Sequence, residues 1–167
     1  MAEAFVYDAI RTPRGRGKSS GSLHEVKPVR LLTGLMHEMR RRHDLDTSQV
    51  EDVVVGCVTP VGDQGAVIPK TAALAAGWDL KVAGVQVNRF CASGLETIAL
   101  ATLAVESGRA EVVVAGGCES MSFIAMGGER FAPEPALVAG APDTFISMGL
   151  TAENVAARFE VSREDQD

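Results

Sequence analysis

No stretch of this 167-residue sequence approaches the ~20 consecutive apolar residues that a bilayer-spanning helix needs, so no transmembrane segment is expected. Cations are in the minority, with 16 Lys and Arg against 22 Asp and Glu. The resulting net charge of −6 disfavours a general role on nucleic acid or on an anionic membrane surface. Cysteine is scarce. Cys57, Cys91 and Cys118 show neither metal-ligand spacing nor the pattern of a disulfide framework, which argues against a metal site and for a reducing compartment. There is no internal repeat. No secretory leader is expected, because a β-rich stretch begins as early as Glu3; a bacterial cytoplasm or an organellar matrix fits this reading. The 46% apolar and 23% charged residues are ordinary values that exclude a disordered chain. The length suits one domain with the beginning of a second.

The apolar pattern alternates between strand and helix. Residues 4–10 read as a first strand, followed by a basic, glycine-rich loop from Arg11 to Lys18. Val29, Leu32, Leu35, Met36 and Met39 recur at helical spacing. Arg40, Arg41 and Arg42 fall in the last turn of that helix, where cations complement the macrodipole. Thr47 and Ser48 suggest the cap of a short helical turn. Residues 53–58 form a continuous apolar run, as expected of a strand buried on both faces. Residues 69–76 read as a helix ended by Gly77, 82–88 as a strand, 91–107 as a helix and 111–117 as a strand. This order predicts an α/β fold with a largely parallel sheet and right-handed crossovers. After Gly117 the rhythm breaks. Pro133, Pro135 and Pro142 punctuate a long excursion or the edge of an inserted subdomain. A helix capped by Thr151 follows, and Ser162 to Asp165 looks like the cap and first turn of another. A chain that stops there reads as a fragment.

The residue that carries chemistry is Cys91. It is expected in the first turn of the 91–107 helix, facing unpaired backbone N–H groups and the positive end of the macrodipole. Such a seat favours thiolate, the nucleophilic form. The plain alternative is a small apolar residue filling a core gap, which is the reading adopted for Cys57 and Cys118. The basic loop around Arg14 and Arg16 is expected to be solvated rather than to touch a phosphate, and its Gly-x-Gly is too short for a dinucleotide fingerprint. Gly116 and Gly117 mark either a close backbone approach or a tight exit from a strand.

The helix after Cys91 carries a second message. Between Ala92 and Ala104 its only charged residue is Glu96, and Ile98, Leu100, Leu103 and Val105 spread around the circumference. A helix apolar nearly all round belongs in an interior layer. More protein than these residues is expected to cover it, either a second subunit or further chain.

Four segments together resemble the thiolase family. Val87-Asn88-Arg89-Phe90-Cys91-Ala92-Ser93-Gly94-Leu95 is similar to the family's nucleophile motif. Arg11-Thr12-Pro13 resembles its N-terminal signature. Gly116-Gly117-Cys118-Glu119-Ser120-Met121-Ser122 resembles the segment that ends its fourth strand. Met148-Gly149-Leu150-Thr151-Ala152-Glu153-Asn154-Val155-Ala156 resembles the start of its helical loop domain. The resemblance runs the length of the chain and points to the acetyl-CoA acetyltransferase and 3-oxoacyl-CoA thiolase group. It implies the N-terminal half of a five-layer α-β-α-β-α architecture with a mainly parallel mixed sheet. Residues 1–120 would form the incomplete α/β domain and 121–167 the beginning of the inserted loop domain.

The activity implied is acyl transfer through a Cys91 acyl-enzyme. It would run as thiolytic cleavage of 3-oxoacyl-CoA or as the reverse Claisen condensation of acetyl-CoA. The resemblance makes coenzyme A and acetyl-CoA substrates rather than bound cofactors, and it implies a homodimer or tetramer with the 82–88 strand at the dimer edge. Its catalytic histidines and second cysteine belong to a C-terminal half. His24, His37 and His43 match none of those motifs, so this fragment alone is expected to be inactive. No coenzyme A-contacting residue is assigned. Two other readings keep the fold: a 3-oxoacyl synthase-like condensing enzyme and a non-catalytic dimerisation module. A peroxide-sensing thiol would also suit a cysteine at a helix start.

Overall fold

A computed structural model describes residues 3–125 and 132–167. The chain divides into two compact units, Met1–Glu129 and Arg130–Asp167.

The first unit is built on a three-stranded parallel sheet, β1 (Asp52–Gly56), β2 (Ala83–Val87) and β3 (Val113–Gly117), in the order β2-β1-β3. The register aligns Val53 with Gly84 and Val114, and Gly56 with Val87 and Gly117. Side chains alternate across a strand, so two sets of positions face opposite ways. Val53 and Val55 point into a core with Leu32 and Met36 of α1 (Pro28–His43) and with Ile68, Ala72 and Ala73 of α2 (Ile68–Ala75). A Cβ on Gly84 would lie 2.7 Å from Lys70 N, so α2 rests directly on the β2 backbone. Gly56 points to the other face, where a Cβ would lie 2.7 Å from Ser93 C and 2.8 Å from its Cβ, at the start of α3 (Ser93–Glu106). The unit is therefore three layers, α1 and α2 on one face of the sheet and α3 on the other.

Within the described residues of the first unit, nothing covers the outer side of α3. Leu95 is 72% exposed, Ile98 49% and Leu103 60%. This is the geometry expected of an interior helix whose second covering layer is not part of these residues.

Local signals explain the element ends. Pro28 stands at the start of α1, and Asp44, in the left-handed region with φ 45°, ends it by donating its N–H to Arg40 O. Gly77, with φ 65°, stops the chain after α2. Arg41 and Arg42 both bind Glu38, whose carboxyl their hydrogen bonds hold down at about 2. Two cations of the basic cluster are thus paired within their own helix. The short helix Thr47–Gln49 is capped by Asp46, which accepts from Ser48 N, and not by Thr47 or Ser48.

The expected first strand does not form. The described residues before Gly17 carry neither helix nor strand, and Phe5, Val6 and Tyr7 are 70%, 82% and 91% exposed. A strand exists only against a neighbour, and β3 has no second partner among the described residues; residues 4–10 are extended chain without a ladder. The expected four strands are therefore three among the described residues. The extended segment is tethered at Asp8, whose Oδ2 lies 2.8 Å from His43 Nε2 and 3.4 Å from Arg42. The His43 contact holds the Asp8 carboxyl below its usual range.

The second unit contains α4 (Pro135–Gly140), the short helix Pro142–Phe145, α5 (Met148–Phe159) and α6 (Arg163–Gln166). Residues 126–131, within the expected excursion, lie outside the described residues. Ser147, not Thr151, caps α5 by accepting from Leu150 N, while Ser162 and Asp165 form the expected capping box of α6. No described helix is long and apolar enough to cross a membrane.

Candidate functional site

The segment from Asn88 to Ser93 leaves the C-terminal end of β2 and turns into α3. Phe90 makes this turn with φ 47°, a left-handed backbone that costs a bulky residue on the order of 1–3 kcal/mol. Cys91 follows it and is exposed. The helix begins later than expected. Ala92 is the N-cap and Ser93 the first helical residue, so Cys91 stands one position ahead of the cap rather than in the first turn. The reason is the elbow at Phe90, which delays entry into helical geometry.

The N-terminus of α3 has no side-chain cap. The N–H groups of Ala92 and Ser93 are taken by Arg89 O and Phe90 O, each at 3.0 Å. Those of Gly94 and Leu95 have no acceptor among the described residues. Cys91 therefore stands on the surface beside unpaired amide donors, an arrangement suited to stabilising a developing oxyanion. Its sulfur makes no hydrogen bond to any described residue.

The turn is held from two sides. Ser93, 4% exposed, donates its hydroxyl to Phe90 O at 2.6 Å and accepts from Arg89 N at 2.9 Å. Asn88 accepts from Phe90 N at 2.8 Å and donates to Val58 O at 3.0 Å. Arg89 reaches forward to Glu96 at 3.0 Å. Beneath the turn, Thr97 is fully buried and donates to Gly116 O at 3.1 Å, which ties α3 to β3.

The 116–122 segment lies next to this turn through the sheet. Glu119 accepts from Val58 N at 2.6 Å and from the Nε2 of fully buried Gln64 at 2.9 Å. The same Gln64 accepts from Ser120 N. Gln86 in turn donates to Gln64 O and accepts from Ile68 N. This polar network was invisible in the sequence, since its members are spread from residue 58 to residue 120. Of the two readings of Gly116 and Gly117, the structure does not show a close backbone approach. A Cβ on Gly117 would make only ordinary contacts, 3.5 Å from Gly56 O, and one on Gly116 would meet nothing within 4 Å. Gly56 is the residue that must lack a side chain, because its Cβ would overlap backbone atoms of Ser93.

The other cysteines behave as core. Cys57 is 1% and Cys118 9% exposed. Burial first, then the neighbouring Cys57 and Glu119 charges, pushes the Cys118 thiol up to about 12. Burial likewise raises Cys57, with Glu119 adding to it. No described histidine is bonded to Cys91. His24 Nδ1 lies 2.7 Å from Gly21 O, His43 is bound to Asp8 and His37 lies on α1. No group of three or more His, Cys, Asp or Glu among the described residues could hold a metal ion. An open depression of about 780 Å³ lies between the Arg11–Gly17 loop, leucines of α1 and the 117–122 segment; Cys91 is not among its lining residues.

Comparison with known proteins shows the family of the chain. The model of the thiolase N-terminal domain matches residues 4–167. The chain is 40% identical over 167 residues to the 3-ketoacyl-CoA thiolase of Bacillus subtilis, covering 100% of this chain and 42% of that protein. It is 35% identical over 184 residues to the 3-oxoadipyl-CoA/3-oxo-5,6-dehydrosuberyl-CoA thiolase of Escherichia coli, covering 100% of this chain and 45% of the relative. Among solved structures, the acetyl-CoA acetyltransferase of Bacillus anthracis superposes with a TM-score of 0.71 at 34% identity, over 90% of this chain and 41% of that one. The chain thus spans less than half the length of these relatives. With a family model covering nearly all of its residues, and with the elbow, the uncapped helix and the parallel sheet in place, this chain belongs to the thiolase family and represents its N-terminal domain.

Proposed function

We propose that the full-length protein is an acyltransferase that cleaves 3-oxoacyl-CoA with coenzyme A, or condenses acetyl-CoA in reverse, and that Cys91 is its nucleophile. The single observation that carries this is the seat of Cys91. It is the one exposed cysteine of three, on a left-handed elbow, in front of a helix whose first N–H groups are uncapped.

In the degradative direction the Cys91 thiolate attacks the 3-keto carbon. The bond between carbons 2 and 3 breaks, its electron pair leaves with the acetyl-CoA fragment, and that carbon takes up a proton. The acyl group stays on sulfur as a thioester. A second coenzyme A thiolate then attacks the thioester and Cys91 leaves as thiolate. Sulfur suits both steps, as a good nucleophile towards carbonyl carbon and a good leaving group from it. The Cys91 N–H, at the head of the uncapped helix α3, is one donor for the oxyanion of the second step. The acid–base groups that move the protons are assigned to parts of the full-length protein outside these residues, since no histidine here is bonded to Cys91. Edge strand β2 and the exposed apolar face of α3 support a homo-oligomer.

The test is thiolysis by the full-length protein. Acetoacetyl-CoA or a longer 3-oxoacyl-CoA mixed with coenzyme A should yield acetyl-CoA and the shortened acyl-CoA with ping-pong kinetics. Turnover of a malonyl thioester with release of carbon dioxide, and none of 3-oxoacyl-CoA, would instead establish the condensing-enzyme reading.

A further inference from the structure

We infer that Asn88 is a positioning residue for Cys91, and that Glu119 anchors it through the backbone of Val58. This rests on the reading of Cys91 as the acyl carrier.

The argument begins with the elbow. Phe90 adopts φ 47° although it is neither glycine nor asparagine, so the conformation must be imposed by its surroundings. Both polar groups of the Phe90 backbone are bonded by side chains. Asn88 Oδ1 takes its N–H at 2.8 Å and the Ser93 hydroxyl donates to its C=O at 2.6 Å. Ser93 is buried and belongs to α3, so the carbonyl side is fixed to the helix.

The amide side depends on where Asn88 itself is fixed. Its Nδ2 donates to Val58 O at 3.0 Å, so both ends of its amide are used. Val58 is in turn held at its N–H by Glu119 Oε2 at 2.6 Å. Glu119 Oε1 accepts from Gln64 at 2.9 Å, and Gln64 is fully buried. A continuous path of hydrogen bonds therefore runs from a buried anchor, through Glu119, Val58 and Asn88, to the Arg89–Phe90 peptide, one peptide ahead of the bond between Phe90 and Cys91. Two segments distant in sequence, 116–122 and 87–95, are linked by function through this path. It sets where the sulfur and the Cys91 N–H stand relative to α3.

A displacement of about 1 Å at a reacting group can cost about 100-fold in rate, so Asn88→Ala in the full-length protein should lower kcat for thiolysis by about 100-fold. The apparent KM for acyl-CoA should change by less than about three-fold, because the role inferred for Asn88 is to hold the elbow and not to bind substrate. Asn88→Asp keeps an oxygen for the Phe90 N–H and loses the bond to Val58 O. It should recover about ten-fold of the loss, a partial rescue that a purely structural role does not produce. Glu119→Gln keeps the shape and one acceptor, and should cost about ten-fold in kcat with the same flat KM. It carries the test if Asn88→Ala melts below the assay temperature. A folded Asn88→Ala with kcat within about two-fold of a working wild type would overturn the positioning role alone. A wild type that does not cleave 3-oxoacyl-CoA would count against the functional reading instead.

Discussion

Cys91→Ser in the full-length protein should reduce thiolysis by at least ~10⁴-fold while leaving the melting temperature nearly unchanged. The size of the first effect follows from chemistry. A serine hydroxyl in the same place is a far weaker nucleophile at neutral pH than a thiolate, and an alkoxide is a poorer leaving group from the acyl-enzyme. The smallness of the second follows from packing. Cys91 is exposed and its sulfur bonds to nothing described, so the substitution breaks no contact and should shift stability by no more than ~0.5 kcal/mol. Steady-state thiolysis beside a thermal melt measures both. A fall in activity matched by a fall in melting temperature would make Cys91 a structural residue, and full activity in the variant would remove it from the chemistry.

Iodoacetamide should discriminate among the three thiols of the native protein, with Cys91 alkylated at least ~100-fold faster than Cys57 or Cys118 near pH 7. Cys57 and Cys118 lie where β1 and β3 end, with N–H groups bonded to Val87 O at 2.9 Å and Gly56 O at 3.0 Å, and can react only when the strands open. Their thiols are also pushed up, Cys118 to about 12, by burial first and neighbouring charge second. The sign of the pH dependence follows. The folded protein holds these protons more tightly than the unfolded chain, whose thiols titrate near ~8.5. The stability they contribute is therefore complete below that value and is lost as pH rises towards 12. Labelling of Cys118 should accelerate above about pH 8.5 through opening of the fold, and in denaturant all three thiols should react alike. Peptide mapping after a timed pulse reads the result. Native Cys118 reacting as fast as Cys91 would contradict the burial on which this rests.

Much of the first unit was legible because its signals are local. The Val53–Val55 run forms β1, Gly77 ends α2 with a positive φ, and the all-round apolarity after Cys91 foretold the exposed Leu95, Ile98 and Leu103. What was not legible depends on partners distant in sequence. Residues 4–10 have strand composition but no neighbour to ladder with. The helix start was read two residues early because Phe90 gives no sign of a left-handed turn, which normally falls to glycine or asparagine. Gly56 reads as an interior residue of the 53–58 strand, and only the seat of Ser93 above it shows why a side chain is excluded. Glu119 and Asn88 were seen as parts of two separate motifs, and it is Val58, in neither, that joins them.

The most direct test is to find where the acyl group rests. Full-length protein mixed with acetyl-CoA, quenched in acid and digested, should carry one acetyl group, as a thioester on the peptide containing Cys91 and sensitive to hydroxylamine. Acetyl on Cys57 or Cys118, or an enzyme that turns over 3-oxoacyl-CoA with Cys91 never acylated, would contradict the account.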